Sequence, residues 1–178
     1  NNGNYLNKTP RSTYATYVYW GTGTSDTSSG THTLPSNFTK ENDWAILVLN
    51  EPAGNDFGWL GTKSWSSSWL NQASWYEVSY PNAGTLNSSG EYPLYQNNCT
   101  VRENSNNYFY HDCDTNGGAS GSPLVGTWES KPYIIALNNW EWGSGSSCQP
   151  FKAGQCSNGA VMADKFIETL KKALVERP

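Results

Sequence analysis

The chain has 178 residues and a mass of 19.7 kDa, enough for one domain or two small lobes around a real core. Only 15% of its residues are charged, against roughly 25% in an average soluble protein, while 14% are aromatic. A net charge of −4 with that aromatic content excludes a disordered chain. Sparse Leu, Lys, Glu and Ala exclude a coiled coil, and a pI near 5.1 argues against a nucleic-acid partner. No apolar run approaches the roughly 20 residues that span a bilayer.

Strand signals dominate the chain order. Residues Tyr14–Trp20 are β-branched and aromatic and stop at Gly21, and a Gly/Ser/Thr/Asp loop follows to Gly30. Trp44–Leu49 is a continuous apolar run, short enough for a buried strand, bounded by Asp43 and by Asn50-Glu51-Pro52. Ser64–Trp69 reads as a loop. Trp75–Tyr80 alternates and stops at Pro81. Further short strands are expected at Tyr92–Tyr95, Tyr108–Tyr110, Pro123–Trp128 and Tyr133–Leu137, with a loop from Gly143 to Gly159.

One helix is expected, at Ala163–Val175. Phe166, Ile167, Leu170 and Leu174 form a single apolar stripe. Asp164 and Glu168 lie toward its start and Lys171, Lys172 and Arg177 toward its end, in accord with the helix dipole. Many short strands separated by turns, with one terminal helix, make the chain all-β: a sandwich or barrels.

Four cysteines in a short, aromatic, Asn/Ser/Thr-rich chain point to an oxidising, secreted location and two disulfides. Four cysteines allow three connectivities; Cys99–Cys113 and Cys148–Cys156, the near neighbours, are the preferred pairs. The only Met is Met162 and no signal peptide opens the chain, so upstream sequence is expected. Sequons at Asn7, Asn37, Asn87 and Asn98 match the number that chance gives in so Asn- and Ser/Thr-rich a chain, and carry no argument.

The stretch with most chemical content is Asp114–Val125, where Gly117, Gly118 and Gly121 surround Ser120. A nucleophilic serine needs its Oγ on a tight turn and backbone N–H groups aimed at a developing oxyanion. Gly118 and Ser120 stand at the right offset for such a hole. An ordinary Gly/Ser turn is the plainer alternative, but G-x-S-G-S-P running into an apolar strand is much rarer than such turns.

Gly118-Ala-Ser-Gly-Ser-Pro123 resembles the active-site serine segment of chymotrypsin-like serine proteases, most of all the glutamyl-endopeptidase (V8-like) branch. Asp43–Leu49 resembles the strand that opens with the triad aspartate, Gly58-Trp-Leu-Gly61 the short motif after it, and Gly159–Asp164 with its helix the branch's ending. The resemblance runs from about Asn37 to Leu174. It implies two antiparallel β-barrels: the remainder of the first at residues 1–70, the second at 71–162, and a C-terminal helix at 163–178, all within one protease domain. It also implies Ser120 as nucleophile, Asp43 as the residue that orients the histidine, and Gly118 with Ser120 as oxyanion hole. Asp43, just ahead of an apolar run, is expected partly buried at a core edge, where a carboxylate needs a partner.

The base is missing. The chain has two histidines. His32 stands too few residues before Asp43 for the family's spacing, and His111, nine before Ser120, stands where the family has no catalytic residue, so it is expected to pack or to line the pocket rim. The expectation is a companion N-terminal chain that supplies the catalytic histidine and completes the first barrel. A truncated fragment is favoured alongside it, and a natural pseudoprotease that lost the base is the alternative. A peptide or protein is the expected substrate. No cofactor and no metal is implied.

For specificity, Asp114 stands six residues before the nucleophile, where trypsin-like enzymes carry a pocket-floor carboxylate, and Thr115 would be a pocket wall. Asn138 replaces the histidine by which glutamyl endopeptidases receive an acidic side chain, Glu141 would lie near the pocket entrance, and Trp140 is a further substrate-binding candidate. A carboxylate there disfavours an acidic substrate residue, so a basic or polar residue is expected before the cleaved bond. Ala119 excludes activation by an aspartate–amine salt bridge beside the nucleophile. The competing class is a carbohydrate- or protein-binding module, with Trp65, Trp69, Trp140 and Trp142 as stacking platforms, against which core packing is the plainer reading.

Overall fold

The computed structural model describes residues 13–22, 25–26, 38–83, 88–90, 92–142 and 157–176. In chain order the elements are β1 (Ala15–Trp20), β2 (Ser25–Asp26), β3 (Ala45–Leu49), α1 (Ala53–Phe57), β4 (Gly61–Thr62), β5 (Ala73–Ser79), β6 (Asn82–Ala83), β7 (Ser88–Ser89), β8 (Leu94–Ser105), β9 (Tyr108–His111), β10 (Pro123–Trp128), β11 (Lys131–Trp142), β12 (Ser157–Met162) and α2 (Ile167–Glu176).

Two bodies follow from the pairing. In the order β10–β5–β8–β9–β12–β11, with β11 returning to β10, six antiparallel strands close a barrel, and β4 adds to β11 in parallel. The first lobe is a three-stranded antiparallel sheet, β2–β1–β3. Closure removes the barrel's edges and lets alternate residues fill its interior. Val101, Phe109, Leu124, Ile135, Ala136 and Ala160 are fully buried there. The hairpins are tight: Asn106-Asn107 joins β8 to β9 and Glu129-Ser130 joins β10 to β11, with positive φ at all four, as a two-residue turn of that hand requires.

One end of the barrel is aromatic. Trp65 packs against Phe109 (centroids 4.3 Å apart) and Trp69 against Trp128 (4.8 Å), with Trp75 beside both tryptophans. The expected loop at Ser64–Trp69 is therefore a core plug: Ser67–Trp69 forms a 3-10 turn, and both indoles pack on the buried cluster rather than offering a stacking face.

Several expectations need correction. Trp44–Leu49 is a strand from Ala45, but not a buried one: Leu47 is 56% and Leu49 38% exposed, because the three-stranded sheet covers one face of β3 only. β8 and β11 run to 12 residues each, far beyond the apolar stretches that announced them. α2 begins at Ile167 after a 3-10 turn at Ala163–Lys165; its buried residue is Ala173, Phe166 just ahead of it is also buried, and Leu174 is 62% exposed. The loop expected to Gly159 gives way to β12 at Ser157. The helix docks on the first lobe, Phe166 meeting Trp44 at 5.9 Å and the Tyr19 hydroxyl donating to Glu176. Cys99 and Cys113 form the expected disulfide, with Cα atoms 4.9 Å apart. Cys148 and Cys156 lie outside the described residues, as does His32.

Candidate active site

Ser120 sits on a compact loop between β9 and β10. Ala119 N–H donates to Asn116 O and Ser122 N–H to Ala119 O, which winds two successive turns around the serine. Gly118 (φ 98°) and Gly121 (φ 85°) flank it in the left-handed region, where a Cβ would be strained. A Cβ on Gly118 would also press within 3.0 Å of Asn82 N. The loop is moored on both sides, by Asn82 N–H donating to Gly117 O and by β11, where Gly121 N–H donates to Asn138 O and Asn138 N–H to Ser122 O. Ser120 is exposed while Ala119 beneath it is buried. The N–H groups of Gly118 and Ser120 make no hydrogen bond among the described residues, so both donors remain available to an anionic oxygen.

Asp43 ends the short 3-10 turn Lys40–Asn42, at the head of β3. It is exposed, not partly buried as its position before an apolar run suggested, because β3 lies at a sheet edge. Its partner is Asn139, whose side-chain amide donates to Asp43 Oδ2 at 3.3 Å and to Lys40 O at 2.8 Å. Tyr108 fixes that amide by donating its hydroxyl to Asn139 Oδ1 at 2.8 Å. Burial, reinforced by Tyr110, Glu41 and Asp43, drives the Tyr108 hydroxyl pKa far upward, so it stays a neutral donor. Lys40 completes the junction, its Nζ 2.7 Å from Tyr110 Oη and over the Tyr108 ring.

Two adjacent residues of β11 thus hold the two ends of the site. Asn138 brackets the serine loop by its backbone, and Asn139 grips the aspartate by its side chain. Sequence reasoning singles out Asn138 and passes over Asn139.

The remaining expected residues divide. Asp114 is exposed, and its backbone N–H donates to Gln96 Oε1; Trp140 (44% exposed) and Glu141 are also at the surface. Thr115 is buried, its hydroxyl without a partner among the described residues. Asn138 is 4% exposed, with its amide turned inward to Ala119 O at 3.4 Å and its Oδ1 to His111 Nε2 at 3.2 Å. His111 is not at a pocket rim but wholly inside the barrel, where burial lowers its pKa to about 4, with Asn138 and Asp112 opposing the shift. The buried carboxyl of this region is Glu77, pushed up to about 7 by burial, with the Ser122 hydroxyl opposing. Glu77, His111 and Cys113 bring an oxygen, a nitrogen and a sulfur within 4.8 Å of one another. The sulfur is spent in the disulfide and has no thiolate to offer a metal.

No protein-family model matches the chain, and no curated protein matches it. Among solved structures, one described as a Glu endopeptidase in complex with MPD superposes with a TM-score of 0.58 at 19% identity, covering 88% of this chain and 61% of that one. The fold is chymotrypsin-like. At this identity the likeness establishes architecture, and the chain spans about three-fifths of its neighbour's length. Among the described residues no helix is long and apolar enough to cross a membrane.

Proposed function

We propose that this chain is the larger part of a secreted serine endopeptidase that cleaves peptide bonds through an acyl-enzyme on Ser120. The observation that supports the reading is the pairing on β11: consecutive residues, Asn138 and Asn139, hydrogen-bond the Ser120 loop and Asp43, which come from separate lobes. A histidine between them takes the Ser120 proton as Oγ attacks the peptide carbonyl and later gives it to the leaving amine. Gly118 and Ser120 N–H receive the oxyanion, and Asp43 orients the imidazole. A companion N-terminal polypeptide supplies the histidine and completes the first barrel. The exposed Leu47 and Leu49 of β3 support this, being apolar residues on a sheet face with no cover among the described residues. Asp114, Thr115, Trp140 and Glu141 border the substrate cleft in this reading, and the preferred residue before the cleaved bond is basic or polar.

Native material is the test. Intact mass is expected to reveal a second polypeptide, and a fluorophosphonate probe to label Ser120 in that material and not in Ser120→Ala. Absence of labelling with the companion present would mean an inactive protease-shaped protein instead.

A further inference from the structure

A hydrogen-bond direction can be read along a buried chain beneath Ser120. Ala119 O is a carbonyl and only accepts; it already receives Ser122 N–H at 3.0 Å and the Ser122 hydroxyl at 2.5 Å. The Asn138 atom facing it at 3.4 Å must therefore be the amide nitrogen, which turns Oδ1 toward His111. Oδ1 also only accepts, so His111 Nε2 carries the ring proton and Nδ1 carries a lone pair. Among the described residues the buried Nδ1 accepts no hydrogen bond, and neither oxygen of Glu77 has a partner in hydrogen-bond geometry; the Ser122 hydroxyl lies close enough to oppose the Glu77 shift but donates to Ala119 O. Both side chains are more than nine-tenths buried and belong to the same close group. A carboxylic acid is the form of Glu77 that answers an imidazole lone pair.

We infer that Glu77, His111 and Asn138 are positioning residues for the nucleophile, forming one relay in which protonated Glu77 donates to His111 Nδ1 through a bridging water, His111 Nε2–H donates to Asn138, and the Asn138 amide holds the carbonyl next to Ser120. Burial favours the neutral form at both titratable members. The charged groups nearby are Asp112 and Arg102, paired with each other at 2.7 Å; the groups contributed by the other strands, Gln96, Thr100, Ser122, Asn138 and Asn158, do not titrate, and neither do the disulfide sulfurs.

The relay has two settings. When Glu77 loses its proton to solvent, the carboxylate needs a donor, so the single imidazole proton relocates from Nε2 to Nδ1 and the ring stays neutral. Nε2 then needs a donor as well, and the Asn138 amide turns toward it and away from Ala119 O. One of the three donors on that carbonyl is lost.

Nitrogen-15 spectra of the imidazoles test this, and only two histidines are present, so His32→Gln leaves one. At about pH 6, Nε2 of His111 is expected to be pyrrole-like and Nδ1 pyridine-like, and above the Glu77 transition near pH 7 the two signals should exchange character. Glu77→Gln, whose amide donates to Nδ1 through the same water at every pH, should hold the first pattern throughout. An Nδ1–H tautomer or a doubly protonated ring at pH 6, a wild-type pattern unchanged to high pH, or an exchange that persists in Glu77→Gln each overturns the relay. The functional half rests on the proposed nucleophile. In companion-containing material, probe labelling of Ser120 should slow about five- to ten-fold above the transition in wild type but not in Glu77→Gln. Equal pH profiles for the two proteins overturn the positioning role. Complete absence of labelling beside the expected spectra refutes the protease reading and leaves the relay standing.

Discussion

Leu124 and Leu47 both lie mid-strand in apolar sequence, yet Leu124 is fully buried in the barrel and Leu47 is 56% exposed on the first lobe. The difference is one of closure. Six strands that return on themselves cover both the hydrogen-bonding edges and the inner faces, whereas three strands in an open sheet cover one face. Ser120 belongs to the closed barrel, and Asp43 to the open sheet.

The largest expected effect breaks this comparison directly. Leu124→Ala should lower the unfolding free energy by about 2–5 kcal/mol, and Leu47→Ala by less than about 1 kcal/mol, in denaturant titrations of this chain. Equal losses would mean that the first lobe has a core of its own. Next in size is the Cys99–Cys113 bridge, which closes a 14-residue separation. Replacing both cysteines by alanine should cost about 3 kcal/mol and leave the amide-exchange rates of β1 and β3 unchanged, since the bridge braces only the barrel.

The smallest effect concerns pH. The raised Glu77 carboxyl contributes fully below its ordinary 4.5 and loses that contribution as pH rises through about 7. The lowered His111 contributes fully above its ordinary 6.5 and loses it as pH falls through about 4. Between 4.5 and 6.5 both folded and unfolded chains hold one proton on this pair, on the carboxyl in one and the imidazole in the other. Their slopes cancel, so thermal melts should show no contribution from the pair in that window, with losses of about 1 kcal/mol or less on each flank. Glu77→Gln should uncover the His111 half as a stability that rises with pH from 4 to 6.5. A wild-type slope across that window would show that the two groups do not share one proton.

What the sequence made legible follows from local rules. The glycine-framed serine, the strand after Asp43 and the close cysteine pair are each local patterns. Exposure of β3 was not readable, because an apolar run says that a residue can be buried, not whether a neighbour arrives to bury it. The long β8 was hidden by Gln96-Asn97-Asn98, polar residues that form a bulge in which Asn98 takes positive φ. Glu77 was within reach: Trp75, Glu77 and Ser79 share one face of an alternating strand, and Trp75 marks that face as inward. Asn139 was not, since its meeting with a residue 96 positions away is a product of topology.

The junction on β11 has a metrical consequence. Neighbouring α-carbons in a trans chain keep a separation of about 3.8 Å that thermal motion hardly alters. Because the Ser120 loop and the distant Asp43 carboxylate are each hydrogen-bonded to one of two such neighbours, covalent geometry sets the spacing of their two anchor points.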